Sequence, residues 1–496
     1  DKSMTMVDKK RHFLISVAAV VVCFIFLLVC ALLAALPVTA EDKDFGIVLD
    51  AGSSHTALSV FSWKHRTHSG EEPIENADIG IEGTLSSDHA IGDFIFNPEM
   101  AGPSLRPLLD YVQQRIPEDR FPFTIVRLGA TAGMREVVLQ NQTAADLIMQ
   151  SVRQEIASYP FVFQPEWAAI INGSTEGAYG WMTVNYLTGF LAEGNLAGQS
   201  LAMDLGGAST QISFIPDNPP KEGQYEVCAY GQCHQLYTHS YLGYGQNAFQ
   251  VTYESNLSAT STGNISDPCR PSNLTDPIPG APGRFFVGTG NASGCLSNLQ
   301  VLLNKGACGA NPDCGVDGVY MPPIPPHRTI HAFSGFYYPV EAMVLHPTVF
   351  NNIGLSNTLP ELEAAREVLC GMSVEALSST FTHTPAKYSN RYCFSTSYII
   401  ALLGLGYNVT SPVIYTTQLD GDDVGWTLGA AIVLEKLLPY APDKTTHRLV
   451  APASVALLAV GSLLFLPSVV VAVVLYRRLT PARLGPGQEL LTEEGY

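Results

Sequence analysis

Basic residues are scarce in this chain: 27 lysines and arginines stand against 45 aspartates and glutamates, a formal net charge of −18. So acidic a balance argues against nucleic-acid binding. It does not exclude a small anionic substrate that arrives with a cation. Zinc-site spacing of cysteine with histidine is also missing. Cys23 and Cys30 lie in an apolar run near the start, and the other eight cysteines fall between residues 228 and 393. An even number there suits disulfides in an oxidising compartment. With 496 residues, 46% of them hydrophobic, the chain can bury more than one core.

Long uncharged runs are present at both ends, 13–40 and 449–476. Lys9, Lys10 and Arg11 precede the first; Arg477, Arg478 and Arg483 follow the second. This pattern predicts two transmembrane helices, with 1–12 and 477–496 cytosolic and the intervening chain outside the cytosol. Val38-Thr39-Ala40 resembles a cleavage site, but the run before it is too long and uniform for a signal-peptide core. Sequons at Asn141, Asn172, Asn256, Asn264, Asn273, Asn291 and Asn408 all fall between the two runs. Two spans permit a homo-oligomer, although neither contains a GxxxG pattern.

Residues 201–214, LAMDLGGASTQISF, read as a strand ending in an acid, a glycine turn and a returning strand. Residues 45–61, FGIVLDAGSSHTALSVF, repeat that form, placing Asp50 on Asp204, Gly52 on Gly206 and Thr56 on Thr210. Glycine turns let successive backbone N–H groups converge on an anion. An acid at each strand end can hold a divalent cation through waters. Either stretch alone is also what an ordinary hairpin gives; the matched pair points to a duplicated fold clamping a polyphosphate from both sides.

Between and beyond these hairpins the sequence predicts a strand at 123–128 and a helix over 135–158. A strand at 168–171 is followed by a helix from about Glu176, whose carboxylate then sits in the first helical turn. There it complements the helix dipole, or serves as a general base toward water beside bound phosphate. Residues 333–338, FSGFYY, read as core, 362–372 and 398–405 as helices, and 418–437 as an acidic glycine turn leading into a helix.

Five stretches in this order, IVLDAGSSHT (47–56), LGATAGMR (128–135), INGSTEGAYGW (171–181), MDLGGASTQ (203–211) and DGDDVGWTLG (420–429), resemble the ecto-nucleoside triphosphate diphosphohydrolases, the ecto-apyrase family. THSYLGYG (238–245) and CFSTSYI (393–399) extend the likeness across the ectodomain, and two spans point to the cell-surface branch. The resemblance implies an α/β, actin/Hsp70-like ectodomain of duplicated RNase H-like lobes. Lobe I would comprise 41–171 and 417–447, and lobe II 172–416. It implies Ca²⁺- or Mg²⁺-dependent hydrolysis of extracellular nucleoside tri- and diphosphates to monophosphates. Glu176 would be the catalytic base, and Ser209 and Gln211 would place the attacking water. Asp50 and Asp204 would hold the metal through its waters, with Trp426 close by. Ser53, Ser54, His55, Thr131, Ala132, Gly206, Gly207 and Ala208 would hold the phosphates, and Tyr337 and Tyr388 would stack on the base.

Departures from the family pattern matter as well. Gly243 stands where members usually carry a cysteine, its usual partner near Pro282 is also missing, and a cysteine pair between the first two motifs is absent. By family order the bridges become Cys228–Cys233, Cys269–Cys295, Cys308–Cys314 and Cys370–Cys393. Ser174-Thr175 replaces an acidic or amide pair before Glu176, and a glycan on Asn172 would block the cleft, so that sequon is expected to be empty. The alternatives are a Golgi-type nucleoside diphosphatase and a catalytically silent nucleotide-binding ectodomain. A cytosolic sugar kinase or chaperone of the same fold would lack this load of cysteines and sequons.

Overall fold

A computed structural model describes residues 43–64, 75–76, 85–193, 199–229, 232–259, 261–326 and 328–434, with a few helical positions before residue 27. The span expected at 449–476, both cytosolic segments and most of 13–40 lie outside the described residues. No helix among the described residues is long and apolar enough to cross a membrane. The chain divides into two compact units, one of Lys43–Ala441 and one of its two ends. Everything below concerns the first.

Strand β1 (Lys43–Ala51) is buried along almost its whole length, as a strand covered on both faces must be. It pairs antiparallel with β2 (Thr56–Lys64) and parallel with β3 (Ile125–Ala130). A two-residue strand, Glu75–Asn76, lies antiparallel beyond β2. Helices α1 (Ala132–Gln140) and α2 (Gln142–Ala157) lead from β3 to β4 (Ala168–Ile170), which is parallel to β3. The single helix expected over 135–158 is therefore two. Asn141 leaves helical geometry at φ −158° and its side chain accepts the Ala144 N–H, capping α2. After β4, Asn172 caps α3 (Gly173–Leu187) by accepting the Ser174 N–H at 2.7 Å.

The second sheet repeats the path of the first. Strand β5 (Leu201–Leu205) is central and pairs antiparallel with β6 (Ser209–Phe214). The hairpin of β7 (Gln224–Ala229) and β8 (Gln232–Leu242) joins on, with β8 against β6. On the other side of β5 come β9 (Ile330–Ser334) and β10 (Val413–Tyr415), both parallel. Each sheet thus runs from a central strand to an antiparallel hairpin partner, an antiparallel third strand, and two parallel strands on the opposite side. Helix α4 (Gln246–Ala259) buries only Phe249 and Tyr253, α5 (Tyr337–Val344) packs Val340 and Met343 inward, and α6 (Tyr392–Ala401) is buried from Cys393 onward and continues into a wide turn at Leu402–Gly406.

One apolar core, including Leu49, Leu128 and Val152, lies under the first sheet, and another, including Met203, Phe249 and Tyr398, under the second. A third gathers Val48, Trp181, Phe333 and Trp426 from both sheets, α3 and the returning helix α7 (Trp426–Leu434). Helix α7 packs so tightly on α3 that a Cβ on Gly429 would lie 2.1 Å from the Tyr179 carbonyl oxygen. Disulfides join Cys228–Cys233, Cys269–Cys295, Cys308–Cys314 and Cys370–Cys393. Gly243 holds φ +84°, a conformation a side chain there would strain.

Candidate active site

Periodicity two and a glycine turn fix where the two acids stand. Asp50 pairs with Ala57 across the first hairpin and Asp204 with Gln211 across the second, so each is the penultimate residue of its central strand. The turns close alike: Gly52 N–H donates to the His55 carbonyl and Gly206 N–H to that of Ser209, both at 3.0 Å. A Cβ on Gly207 would lie 2.5 Å from Ser53 Oγ, so the turns approach one another closely.

They line a cleft of about 730 Å³. Asp50, Ser53, Ser54 and His55 enter it from one hairpin; Asp204, Gly206, Gly207, Ala208 and Ser209 enter from the other. Thr131 and Ala132 reach it from the start of α1, Glu176 from the first turn of α3, and Trp426 from the start of α7. A Cβ on Gly129 would meet the Trp426 ring at 2.5 Å, so the bare backbone of β3 makes the space the indole occupies.

Two residues assigned from the sequence are placed differently. Gln211 is buried behind Ser209 and does not line the cleft; its Nε2 donates to Ser209 Oγ at 2.7 Å and Ser240 Oγ at 2.9 Å. Tyr337 does not line the cleft either. Its hydroxyl donates to Glu341 one turn along α5, while the neighbouring Tyr338, exposed and hence not core as 333–338 suggested, lines the cleft together with Tyr388. Phe333 and Phe336 do enter the core.

Sequence reasoning also passed over Arg135, the last residue of LGATAGMR. Its Nη2 donates to Glu176 Oε2 at 2.9 Å and to Ser209 Oγ at 3.0 Å, and its Nη1 to the Ile171 carbonyl at 3.0 Å. Only the lone cation closing an otherwise apolar and small-residue motif hinted at it. Arg391, which donates to Asn247 Oδ1 at 3.0 Å and lines the cleft itself, is a second cation not singled out beforehand.

Electrostatics set the chemistry. Burial, then the nearby Glu176 and Asp204 carboxylates, push Asp50 up to about 8. Burial and then Glu176 push Asp204 up to about 7. Glu176 is also raised, burial outweighing the opposing pull of Arg135. One oxygen each of Asp50 and Asp204 is buried without a hydrogen-bond partner. Such a set is costly by itself and suits a divalent cation. Asp50, Asp204 and Glu176 do not all three bring ligand atoms within 4.8 Å of one another. Among the described residues only Glu226, Cys228 and Cys233 come that close, and both sulfurs there are spent in a disulfide.

Residues 37–450 match the GDA1/CD39 (nucleoside phosphatase) family. The chain belongs to that family. With it goes the reaction class: the chain is an enzyme of nucleoside triphosphate diphosphohydrolase type. It is 32% identical over 484 residues to ectonucleoside triphosphate diphosphohydrolase 1 of Bos taurus, spanning 88% of this chain and 90% of the relative. To ectonucleoside triphosphate diphosphohydrolase 8 of Gallus gallus it is 33% identical over 429 residues, covering 80% and 83%. In fold it is similar to the nucleoside triphosphate hydrolases of Neospora caninum, with a TM-score of 0.58, 14% identity, and 79% and 93% of the two chains covered. The actin/Hsp70-like architecture of this GDA1/CD39 family member is thus seen in the doubled sheet path and in a solved relative of that fold.

Proposed function

We propose that the cleft hydrolyses nucleoside tri- and diphosphates to monophosphates by in-line attack of water on the terminal phosphorus. The observation that carries this reading is Glu176, held by Arg135 beside Ser209 at the mouth of two glycine-turn hairpins. Backbone N–H groups of the two turns, with Ser53, Ser54, His55, Thr131 and Ala132, bind the phosphate oxygens and offset charge as the phosphoryl group transfers. Water forms the new P–O bond, the bond to the leaving phosphate oxygen breaks, and Glu176 takes the water proton. A Ca²⁺ or Mg²⁺ ion held by Asp50 and Asp204 through waters, next to Trp426, would offset charge on the terminal phosphates. No phosphoenzyme is required, so Ser209 is a hydrogen-bonding group. Tyr338 and Tyr388, half-exposed at the cleft rim, are the rings available to the base.

Residues 41–171 with 417–447 form lobe I in this reading, and 172–416 lobe II, each built round one of the two sheets. The active unit works outside the cytosol, anchored at the plasma membrane by both ends; four disulfides in the described residues support an oxidising surround. The test follows phosphate and nucleotide products on intact membranes with ATP, ADP and UDP in turn, with Ca²⁺ and then with chelator. Conversion of ATP through to AMP, stopped by chelator, is expected. Activity on UDP alone would replace the surface reading by a secretory-pathway one, and chelator-resistant release would remove the cation from the mechanism.

A further inference from the structure

A serine hydroxyl has one proton and two lone pairs. Ser209 Oγ receives two hydrogen bonds, from Arg135 Nη2 at 3.0 Å and from Gln211 Nε2 at 2.7 Å. Both lone pairs are occupied, so its own O–H is left to donate, and Ser209 faces the cleft. The same Arg135 nitrogen engages only Oε2 of Glu176, leaving Oε1 free to accept. Arg135 is fixed in turn by the Ile171 carbonyl, the last backbone position before the α3 cap, and its side chain is 16% exposed.

We infer that Arg135 is a positioning residue that sets the hydrogen-bond polarity of the site, turning the Ser209 hydroxyl into an obligate donor to the attacking water and Glu176 Oε1 into that water's acceptor. This rests on the hydrolytic reading above. Water so held has its oxygen oriented by Ser209 and one proton directed at Glu176, and its remaining lone pair is free to attack phosphorus. Ser209 accordingly takes no proton from the water. Gln211 acts through Ser209 from behind it, which explains why a buried amide absent from the cleft wall belongs to the machinery.

The experiment compares Arg135→Ala, Arg135→Lys, Gln211→Glu and Ser209→Ala in the full membrane-embedded chain, with Glu176→Gln as control. Binding of a non-hydrolysable nucleotide reports folding and ground-state affinity. Arg135→Ala is expected to lower kcat about 100-fold, the scale of losing one aimed donor, with KM moving less than about threefold. Added guanidinium, and not ammonium at the same concentration, should restore part of kcat. Combining Arg135→Ala with Ser209→Ala should cost no more than the worse single change, because the two act as one unit. Gln211→Glu, which can only accept, should draw the Ser209 proton away from the cleft and match the Ser209→Ala loss. Losses that multiply in the double variant, or a Gln211→Glu variant of wild-type kcat, overturn the inference. So does an Arg135 effect confined to KM, or an unfolded Arg135→Ala paired with a fully active Arg135→Lys. Should Glu176→Gln retain turnover, the hydrolytic reading itself fails; an inactive Glu176→Gln beside an active Arg135→Ala removes only the role given to Arg135.

Discussion

Gly207 and Ser53 approach so closely that a Cβ built on the glycine would stand 2.5 Å from the serine Oγ. That contact joins the turn of one hairpin to the turn of the other, which is where a polyphosphate must be gripped from both sides. The same Cβ would meet Asn247 Nδ2 at 3.1 Å. Gly207→Ala therefore pushes Ser53 out of place, because its short side chain cannot swing far. Overpacking of this kind costs about 1–3 kcal/mol. The expected result is a folded enzyme with a lower melting temperature and a nucleotide KM raised roughly tenfold, within that same range. A variant matching the wild type in both would show that the turns do not meet.

Glu176→Gln keeps the size of the side chain and removes its capacity to take a proton. Arg135 then faces an amide instead of a carboxylate, but the phosphate-binding turns are untouched. Phosphate release should fall by ~10²–10⁴, the usual contribution of a positioned base, while nucleotide still protects the protein in a thermal-shift measurement. Turnover near the wild-type rate would take the base away from Glu176.

Asp50 and Asp204 carry the buried oxygens that no protein group satisfies. Replacing either by Asn removes one charge from the pair and leaves its shape. Each variant should need more added cation for half-maximal activity, by about tenfold or more, and chelated wild-type enzyme should recover fully when Ca²⁺ or Mg²⁺ is returned. Titration of phosphate release against cation concentration measures this directly. An unchanged cation requirement in both variants would place the ion elsewhere.

The part of this site that was legible in the sequence is the part built by local rules. Asp50 and Asp204 follow from strand alternation and a glycine turn, and their equivalent registers, Asp50↔Ala57 and Asp204↔Gln211, needed no tertiary knowledge. Glu176 follows from a helix that begins just after a strand. Gln211 was legible as lying on the same strand face as Ser209, since they are two residues apart. Its depth was not, because that depends on Ser240 of β8, 29 residues away, lying across it. Arg135 reaches Glu176 over 41 residues and Ser209 over 74, and no local pattern reports such distances. In FSGFYY the last three positions are all aromatic, so the phase of α5, and with it the choice between Tyr337 and Tyr338, is decided only by packing. The break at Asn141 is a capping event inside a run with helical periodicity on both sides.

His331, on β9 in the second sheet, is buried, and burial lowers it to about 4 from an ordinary value near 6.5. Its Nδ1 has no hydrogen-bond partner. A folded-state value below the unfolded one means that the unfolded chain binds the proton first as pH falls. Stability is therefore complete above about pH 6.5 and is lost progressively down to about pH 4, by about 3 kcal/mol for this one group. His331→Leu removes the titration while keeping a buried side chain of similar size. Denaturant melts between pH 7 and pH 4.5 should show a flatter loss in the variant. Parallel curves for the two proteins would mean that other groups carry the acid sensitivity.

Tyr337 and Tyr338 are adjacent in sequence and opposite in consequence. The first is tied down at 2.8 Å to Glu341 on its own helix. The second is half-exposed on the cleft wall, where Tyr388 also lies. Stacking of a nucleobase on an aromatic ring is worth about 1–3 kcal/mol per base. Tyr338→Ala and Tyr388→Ala should each raise KM for ATP by roughly 5- to 100-fold on that scale, with kcat at saturating substrate much less affected. Inorganic tripolyphosphate, which has no base, separates the two causes: its hydrolysis should be indifferent to either change. Tyr337→Ala should leave KM for ATP near the wild-type value and lower the melting temperature instead, through the lost Glu341 bond and packing. If Tyr337→Ala raises KM and Tyr338→Ala does not, the base is held by the ring that the sequence first suggested, and α5 must turn to present it.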